Sequence, residues 1–231
     1  MSLITNPIAG ELVFDGFCIP AEIFDFEKFR DWVHAEGFPE KVRVSYIAGH
    51  IEVGMSPEEL ETHNKLKGAI HGCLWNWIDR KQLGELFEDG ALLVHPDTKL
   101  AVEPDVMFCS WAGTQSGRVR YAERVEGSNR FVEVVGSPDL VVEVVSESSV
   151  RKDSVLLRKH YFLAGVQEYW LIDGRGESID FQLLARGEHE FEPVAADADG
   201  YRRSEVLGGS FLLTRSLNRA RRFDYRLAGR D

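Results

Sequence analysis

Residues 140–145 read Leu-Val-Val-Glu-Val-Val, and no other stretch restricts the possible fold so strongly. A near-continuous apolar run of this length, without alternation, is a strand covered on both faces. A helical pattern follows over 150–163 and ends at Ala164-Gly165, where glycine suits the C-cap. Residues 168–173, Glu-Tyr-Trp-Leu-Ile-Asp, are a second strand. This strand–helix–strand unit makes the chain a layered mixture of α and β.

Other elements are placed around this unit. A strand is expected over 11–19. An amphipathic helix should begin near Asp25, with Phe26, Phe29, Trp32 and Val33 at helical spacing. Residues 42–53 read as a hairpin turning at Ala48-Gly49. Ser56-Pro57-Glu58-Glu59 looks like a helix start: Ser56 as N-cap, Pro57 at the first helical position and Glu59 completing a capping box. Leu66, Ile70, Leu74 and Trp77 carry one apolar face of that helix to about Lys81. Short strands are expected at 84–87, 91–94 and 106–109, then a polar excursion over 110–136 with one helical turn and a small hairpin. Gly174-Arg175-Gly176 turns the chain into strands at 178–186, 191–195, 201–206 and 211–213.

A length of 231 residues suits one domain spanning 1–231, with an N-terminal strand, helix and hairpin (1–55), a core (56–173) and C-terminal strands (174–231). Its 44% hydrophobic residues are ample for a core. No apolar run approaches the ~18 residues that span a bilayer, so no membrane segment is expected. The first ten residues lack the pattern of a signal peptide. Cys18, Cys73 and Cys109 are odd in number and lack C-x-x-C spacing, pointing to reduced thiols and a cytoplasmic location. A net charge of −11 argues against wholesale coating of nucleic acid. Basic residues are nonetheless grouped: Arg118, Arg120, Arg124 and Arg130, then Arg215, Arg219, Arg221, Arg222, Arg226 and Arg230. They are either solvated faces or the border of a phosphate-binding site.

The motifs of P-loops, serine-hydrolase elbows, zinc proteases and dinucleotide folds are all missing. What remains is a pair of acids at strand positions, Asp105 after Pro104 and Glu143 inside its apolar run. An ionised carboxylate there is costly unless balanced. Either Arg151 or Arg158 forms a salt bridge to Glu143, or the acids bind a metal. Two carboxylates from adjacent strands can hold magnesium at about 2.0–2.1 Å and leave water sites for substrate.

Pro104-Asp105, the strand VVEVVS at 141–146, Lys152-Asp153, GVQEYWLID at 165–173 and VGMSPEELETHNKLK at 53–67 together resemble the Uma-two family. These are proposed endonucleases of the PD-(D/E)XK, restriction-endonuclease-like superfamily. The resemblance implies a central mixed β-sheet flanked by helices and a Mg2+- or Mn2+-dependent endonuclease acting on nucleic acid, most readily DNA. It implies Asp105 and Glu143 as metal ligands. An early helix often adds an acid; Glu59 has a capping role, so Glu61 or His63 is the better candidate.

The chain departs from the superfamily pattern at the catalytic lysine. Val145 stands two residues after the strand acid, and Leu157 fills the alternative slot four residues after Asp153. Lys152 is then the cation expected near the site, or else a solvated lysine at a helix start, and Asp153 could cap that helix. Tyr169 and Trp170 are core residues or base-stacking ones, and Glu168 could lie near the site. A strand from residue 178 onward offers an interface for a homodimer, since superfamily nucleases that cut both strands often pair. Two alternatives follow from the missing lysine: a nuclease-like fold that only binds or oligomerises, and a hydrolase of small phosphodiesters.

Overall fold

A computed structural model describes residues 4–6, 11–14, 17–36, 38–39, 42–54, 58–125 and 127–231. The apolar run forms the strand Leu140–Val144 at the middle of a six-stranded sheet. It pairs in parallel with Glu168–Asp173 and antiparallel with Val106–Ser110. Gly84–Glu88 extends the sheet on one side, and Asp180–Arg186 followed by Phe191–Pro193 on the other. Every residue of Leu140–Val144 is buried, as a strand packed on both faces requires.

Alternation along these strands sorts the side chains into two apolar layers. Leu140, Val142, Val144, Trp170 and Ile172 face the long helix through Leu66, Ile70, Leu74 and Trp77, and the C-terminal strands through Phe211, Leu213 and Leu227. Val141, Val145, Met107, Tyr169 and Leu171 face the other way, toward Leu157 and Tyr161 of the crossover helix. A second six-stranded sheet adds Ile47, Leu93, Leu100 and Val134 to that layer. On its outer face this sheet packs against Phe26 and Phe29 of the helix Phe26–Val33. Asp25 caps that helix, its carboxylate accepting the Lys28 N–H at 3.1 Å.

The hairpin Arg43–Ile47 to His50–Gly54 turns at Ala48-Gly49, both with positive φ, as a type I′ turn demands. It is one edge of the second sheet. The excursion over 110–136 supplies the helix Trp111–Gln115 and the hairpin Val119–Glu123 to Phe131–Gly136, which completes the other edge. Leu100–Val102, unforeseen because it is short and featureless, joins the middle.

One expectation is corrected. The long helix begins at Leu60, not residue 57, with Glu59 as N-cap; Ser56 and Pro57 lie outside the described residues. The strand Asp180–Arg186 pairs along its length with Glu168–Asp173, and over Leu184–Arg186 also with the edge strand Phe191–Pro193. The arginine-rich end runs from the strand Gly209–Leu217, which holds Arg215, into the strand Phe223–Arg230. Arg215 donates to the carbonyls of Gly174 at 2.8 Å and Gly176 at 2.9 Å, Arg222 meets Glu61 at 3.2 Å, and Arg230 pairs with Asp197 and Asp199. These arginines tie structure together. No helix among the described residues is long and apolar enough to cross a membrane.

Candidate active site

Sheet register sets the floor of the site. Val142 pairs with Val106 across the antiparallel ladder. The next step brings Asp105 level with Glu143, and opposed residues of such a pair project from the same face. Both are buried, Asp105 to 7% exposure and Glu143 to 4%. They lie in a cleft of about 1570 Å3 that also takes in Glu58, His63, Asp89, Lys152 and Asp153.

Neither acid is loose. Asp105 Oδ2 accepts the Val144 N–H at 2.7 Å, and Glu143 Oε1 accepts the Tyr161 hydroxyl at 2.6 Å. Burial, followed by the charges of Asp153 and Asp105, raises the Glu143 carboxyl well above its ordinary range. Burial likewise pushes Asp153 up to about 6, against the pull of Lys152. The Lys152 ammonium stands 3.6 Å from Asp153 Oδ1; burial opposes its charge, but Glu143, Asp153 and Asp105 outweigh burial and raise its pKa.

The opposite wall comes from the long helix. His63 is buried, its Nε2 3.9 Å from Asp105 Oδ2. Lys67, four residues on, presents its ammonium to the same aspartate, 3.4 Å from Oδ1. Glu58 and Asp89 also hold that ammonium, Asp89 at 2.9 Å. Despite burial, hydrogen bonds from Lys67 and Asn64 draw Glu58 down to about 2. For Lys67 itself burial works against the charge, and Asp105, Glu58 and Asp89 win, raising its pKa.

Both helices reach the site through a widened π turn, Leu60–Asn64 on one side and Lys152–Leu157 on the other. In the first, the Asn64 N–H bonds back five residues to the Glu59 carbonyl at 2.9 Å. Such turns are rare and concentrate at functional sites, because the extra residue re-aims the side chains around it. Here they carry His63 in one case, and Lys152 with Asp153 in the other.

The structure therefore brings Asp105, Glu143, His63 and Lys152 to one cleft. It does not bring Glu61, which turns away to Arg222 Nη1 at 3.2 Å and the Phe223 N–H at 3.5 Å. Glu59 is occupied by the N–H of Glu61 at 2.9 Å and by Thr62. The arginine salt bridge to Glu143 is not formed: Arg158 donates to the Phe191 carbonyl at 2.9 Å, and Arg151 is exposed. Asp153 does not cap its helix but is buried inside the π turn. Val145 and Leu157 lie in the apolar layer beside Tyr161, so neither lysine slot opens on the cleft.

Tyr169 and Trp170 are core residues, fully buried. Glu168 is remote from the site: it pairs with Leu140 at the far end of the strand and accepts from Trp170, Ser204 and the Val206 N–H. Sequence reasoning missed Lys67, Glu58, Asp89 and Tyr161. Lys67 had a signal, its i,i+4 spacing from His63 on one helix; Asp89, in a turn between strands, had none.

The residues fit a hard divalent cation bound from one side. Asp153 Oδ1 is buried with no hydrogen-bond partner, and burial with the charges of Asp153 and Asp105 raises the Glu143 carboxyl. Among the described residues no group of three or more His, Cys, Asp or Glu is placed to hold a metal ion.

Comparison with known proteins agrees with this geometry. Residues 26–216 match the model of the Uma2 family, described as "Putative restriction endonuclease". The fold resembles the crystal structure of "a putative nuclease belonging to DUF820" from Anabaena variabilis ATCC 29413. That similarity has a TM-score of 0.52 at 16% identity and covers 71% of this chain and 83% of that one. The mixed sheet with its flanking helices is thus restriction-endonuclease-like. No curated protein matches the chain.

Proposed function

The chain belongs to the Uma2 family, and from that premise we propose that it is a Mg2+- or Mn2+-dependent endonuclease hydrolysing phosphodiester bonds, with DNA as the first substrate to test. One observation carries the reading: Asp105 and Glu143 share one face of adjacent strands at the floor of a cleft that Lys152 also lines, with Lys67 held against Asp105. A divalent ion bound by these two acids would supply Lewis acidity to the phosphate and to the attacking water.

The chain's own groups do the positioning. The Val144 N–H fixes Asp105 through Oδ2, and the Tyr161 hydroxyl fixes Glu143 through Oε1. Lys152 serves as a charge, not as a base. Its raised pKa keeps the proton on Nζ at neutral pH, where the ammonium offsets negative charge building on the phosphate oxygens. His63 stands beside Asp105 on this floor, and its buried Nδ1 lacks a hydrogen-bond partner.

The test is titration of Mn2+ and Mg2+ into the wild type and Asp105→Ala/Glu143→Ala, followed by incubation with supercoiled plasmid. The proposal expects calorimetric binding and nicking by the wild type, and loss of both in the variant. Nicking that persists in the variant refutes it.

The burial of Val145 and Leu157 in the apolar layer supports a second reading, a nuclease-like module that binds without cutting. Oligonucleotide binding of equal strength in Mg2+ and in chelator, with no nicking, would select it. Turnover of a chromogenic bis-phosphodiester without oligonucleotide cleavage would select a small-molecule hydrolase instead.

A further inference from the structure

Two lysines reach the carboxylate floor, and they are held differently. The Lys152 side chain is 28% exposed and its nearest acid is Asp153 at 3.6 Å. The Lys67 side chain is 11% exposed and is moored by carboxylates of Glu58, Asp89 and Asp105. An ammonium has three donors: two are taken by Glu58 and Asp89, and the third is left facing Asp105 Oδ1 at 3.4 Å. Burying a lysine in this way costs desolvation and side-chain entropy, and an apolar residue of like volume commonly serves stability as well or better. The cluster is better explained by what the ammonium faces.

Hydrogen bonding at Asp105 decides that. Its Oδ2 is engaged by the Val144 N–H at 2.7 Å, which leaves Oδ1 as the oxygen without a backbone donor. Lys67 Nζ stands 3.4 Å from Oδ1. Any phosphate drawn to a cation on that oxygen therefore arrives within reach of the ammonium. Glu58 and Asp89 hold Lys67 from the side, so the charge is aimed before substrate enters.

We propose that Lys67 acts beside Lys152 as a second catalytic lysine of this chain, an ammonium delivered from the long helix to the scissile phosphate beside Asp105 Oδ1, replacing the lysine displaced by Val145 and Leu157. The proposal rests on the phosphodiesterase reading above. In the step it assists, a water oxygen bonds to phosphorus and the bond from phosphorus to the leaving oxygen breaks. One water proton passes to solvent, and the leaving oxygen takes a proton from solvent. Lys67 transfers none; it donates a hydrogen bond to a non-bridging oxygen, where the charge builds.

This placement gives two effects of opposite sign. The ammonium repels a divalent ion at Oδ1, so its removal tightens metal binding while slowing hydrolysis. A purely structural lysine would weaken both. The experiment compares wild type, Lys67→Met, Lys67→Arg and the charge-balanced Glu58→Gln/Lys67→Met, which keeps the test open if the single neutral variant does not fold. Mn2+ affinity is read by calorimetry and nicking of supercoiled plasmid at saturating Mn2+.

We expect Lys67→Met to bind Mn2+ about tenfold tighter and to nick at least about a hundredfold more slowly. The Glu58→Gln/Lys67→Met variant should show the same slow nicking, and Lys67→Arg should restore wild-type Mn2+ affinity with part of the rate. Wild-type nicking by either methionine variant overturns the proposal. So does slow nicking by Lys67→Met with unchanged or weaker Mn2+ binding. A wild type that neither binds Mn2+ nor nicks DNA instead defeats the phosphodiesterase reading, and this proposal with it.

Discussion

Tyr161→Phe isolates one hydrogen bond at the proposed metal site. The ring is fully buried and packs against Tyr169 with centroids 5.3 Å apart, so phenylalanine keeps the packing and deletes one oxygen. That oxygen donates to Glu143 Oε1 at 2.6 Å. A hydrogen bond to a charged group contributes about 1.5–3 kcal/mol, and losing it at a buried carboxylate costs the charged form most. Tyr161 opposes the upward shift of Glu143, so its removal raises that pKa further. Metal binding needs the carboxylate deprotonated, and the pH midpoint of Mn2+ binding should therefore move upward. Groups that orient a metal ligand typically carry about 10–100-fold in affinity, and we expect a loss in that range near neutral pH, shrinking as pH rises. The assay is Mn2+ calorimetry from pH 6 to 9 on wild type, Tyr161→Phe, Glu143→Gln and the double variant. In the Glu143→Gln background the Tyr161 change should cost much less, because the shared partner is gone. Equal affinity of wild type and Tyr161→Phe across the range, or strict additivity in the cycle, would refute the assignment of Glu143 as a ligand held by Tyr161.

Asp105→Ala should lower plasmid nicking by about a thousandfold, on the order of 4 kcal/mol of transition-state stabilisation, as read by single-turnover rates. Glu133 is held down to about 2, its burial outweighed by His34 and Arg30, against an ordinary 4.5. A depressed carboxyl stabilises the fold above its unfolded pKa and loses that contribution as pH falls toward its folded value. Acid unfolding should therefore show a stability loss between about pH 4.5 and 2 worth at most about 3 kcal/mol, absent in Glu133→Gln. Glu168→Leu removes the acceptor for Trp170, Ser204 and Val206 and should cost about 3–5 kcal/mol in denaturant melts, leaving buried donors unpaired. Gly209→Ala would set a Cβ 2.1 Å from Trp77 Cζ2 and should lower the melting temperature through forced repacking of the C-terminal strands.

Sequence patterning made the centre of the fold legible and left its periphery obscure. The run at 140–145, the crossover and Glu168–Asp173 each showed one strong signal, and all three stand where expected. Leu100–Val102 and Phe223–Arg230 escaped notice for physical reasons. The first is too short to show a period. The second alternates arginine and aspartate with partly buried aromatic and aliphatic residues, so its charges read as a solvated face. Its Arg230 is spent on Asp197 and Asp199, contacts that no local pattern encodes.

The site shows the same division, and its charge balance explains why. Asp105 and Glu143 were legible because a carboxylate in a buried strand is anomalous on sequence alone. Their surroundings were not, because each compensating group comes from a distant element: Tyr161 from the crossover helix, Lys67 from the long helix, Asp89 from a turn. A phosphodiester entering a cleft lined by Glu58, Asp89, Asp105, Glu143 and Asp153 would meet prohibitive repulsion if those acids stood uncompensated. Lys67 offsets one group of them and Lys152 the other, and a divalent ion would offset the Asp105–Glu143 pair between. The net charge of −11 is thus no obstacle to a phosphate substrate, provided that cations are fixed at the floor before it arrives. The family's usual lysine slots are closed by apolar packing, so that fixed charge has to come from elsewhere, and Lys67 is the lysine placed directly against Asp105.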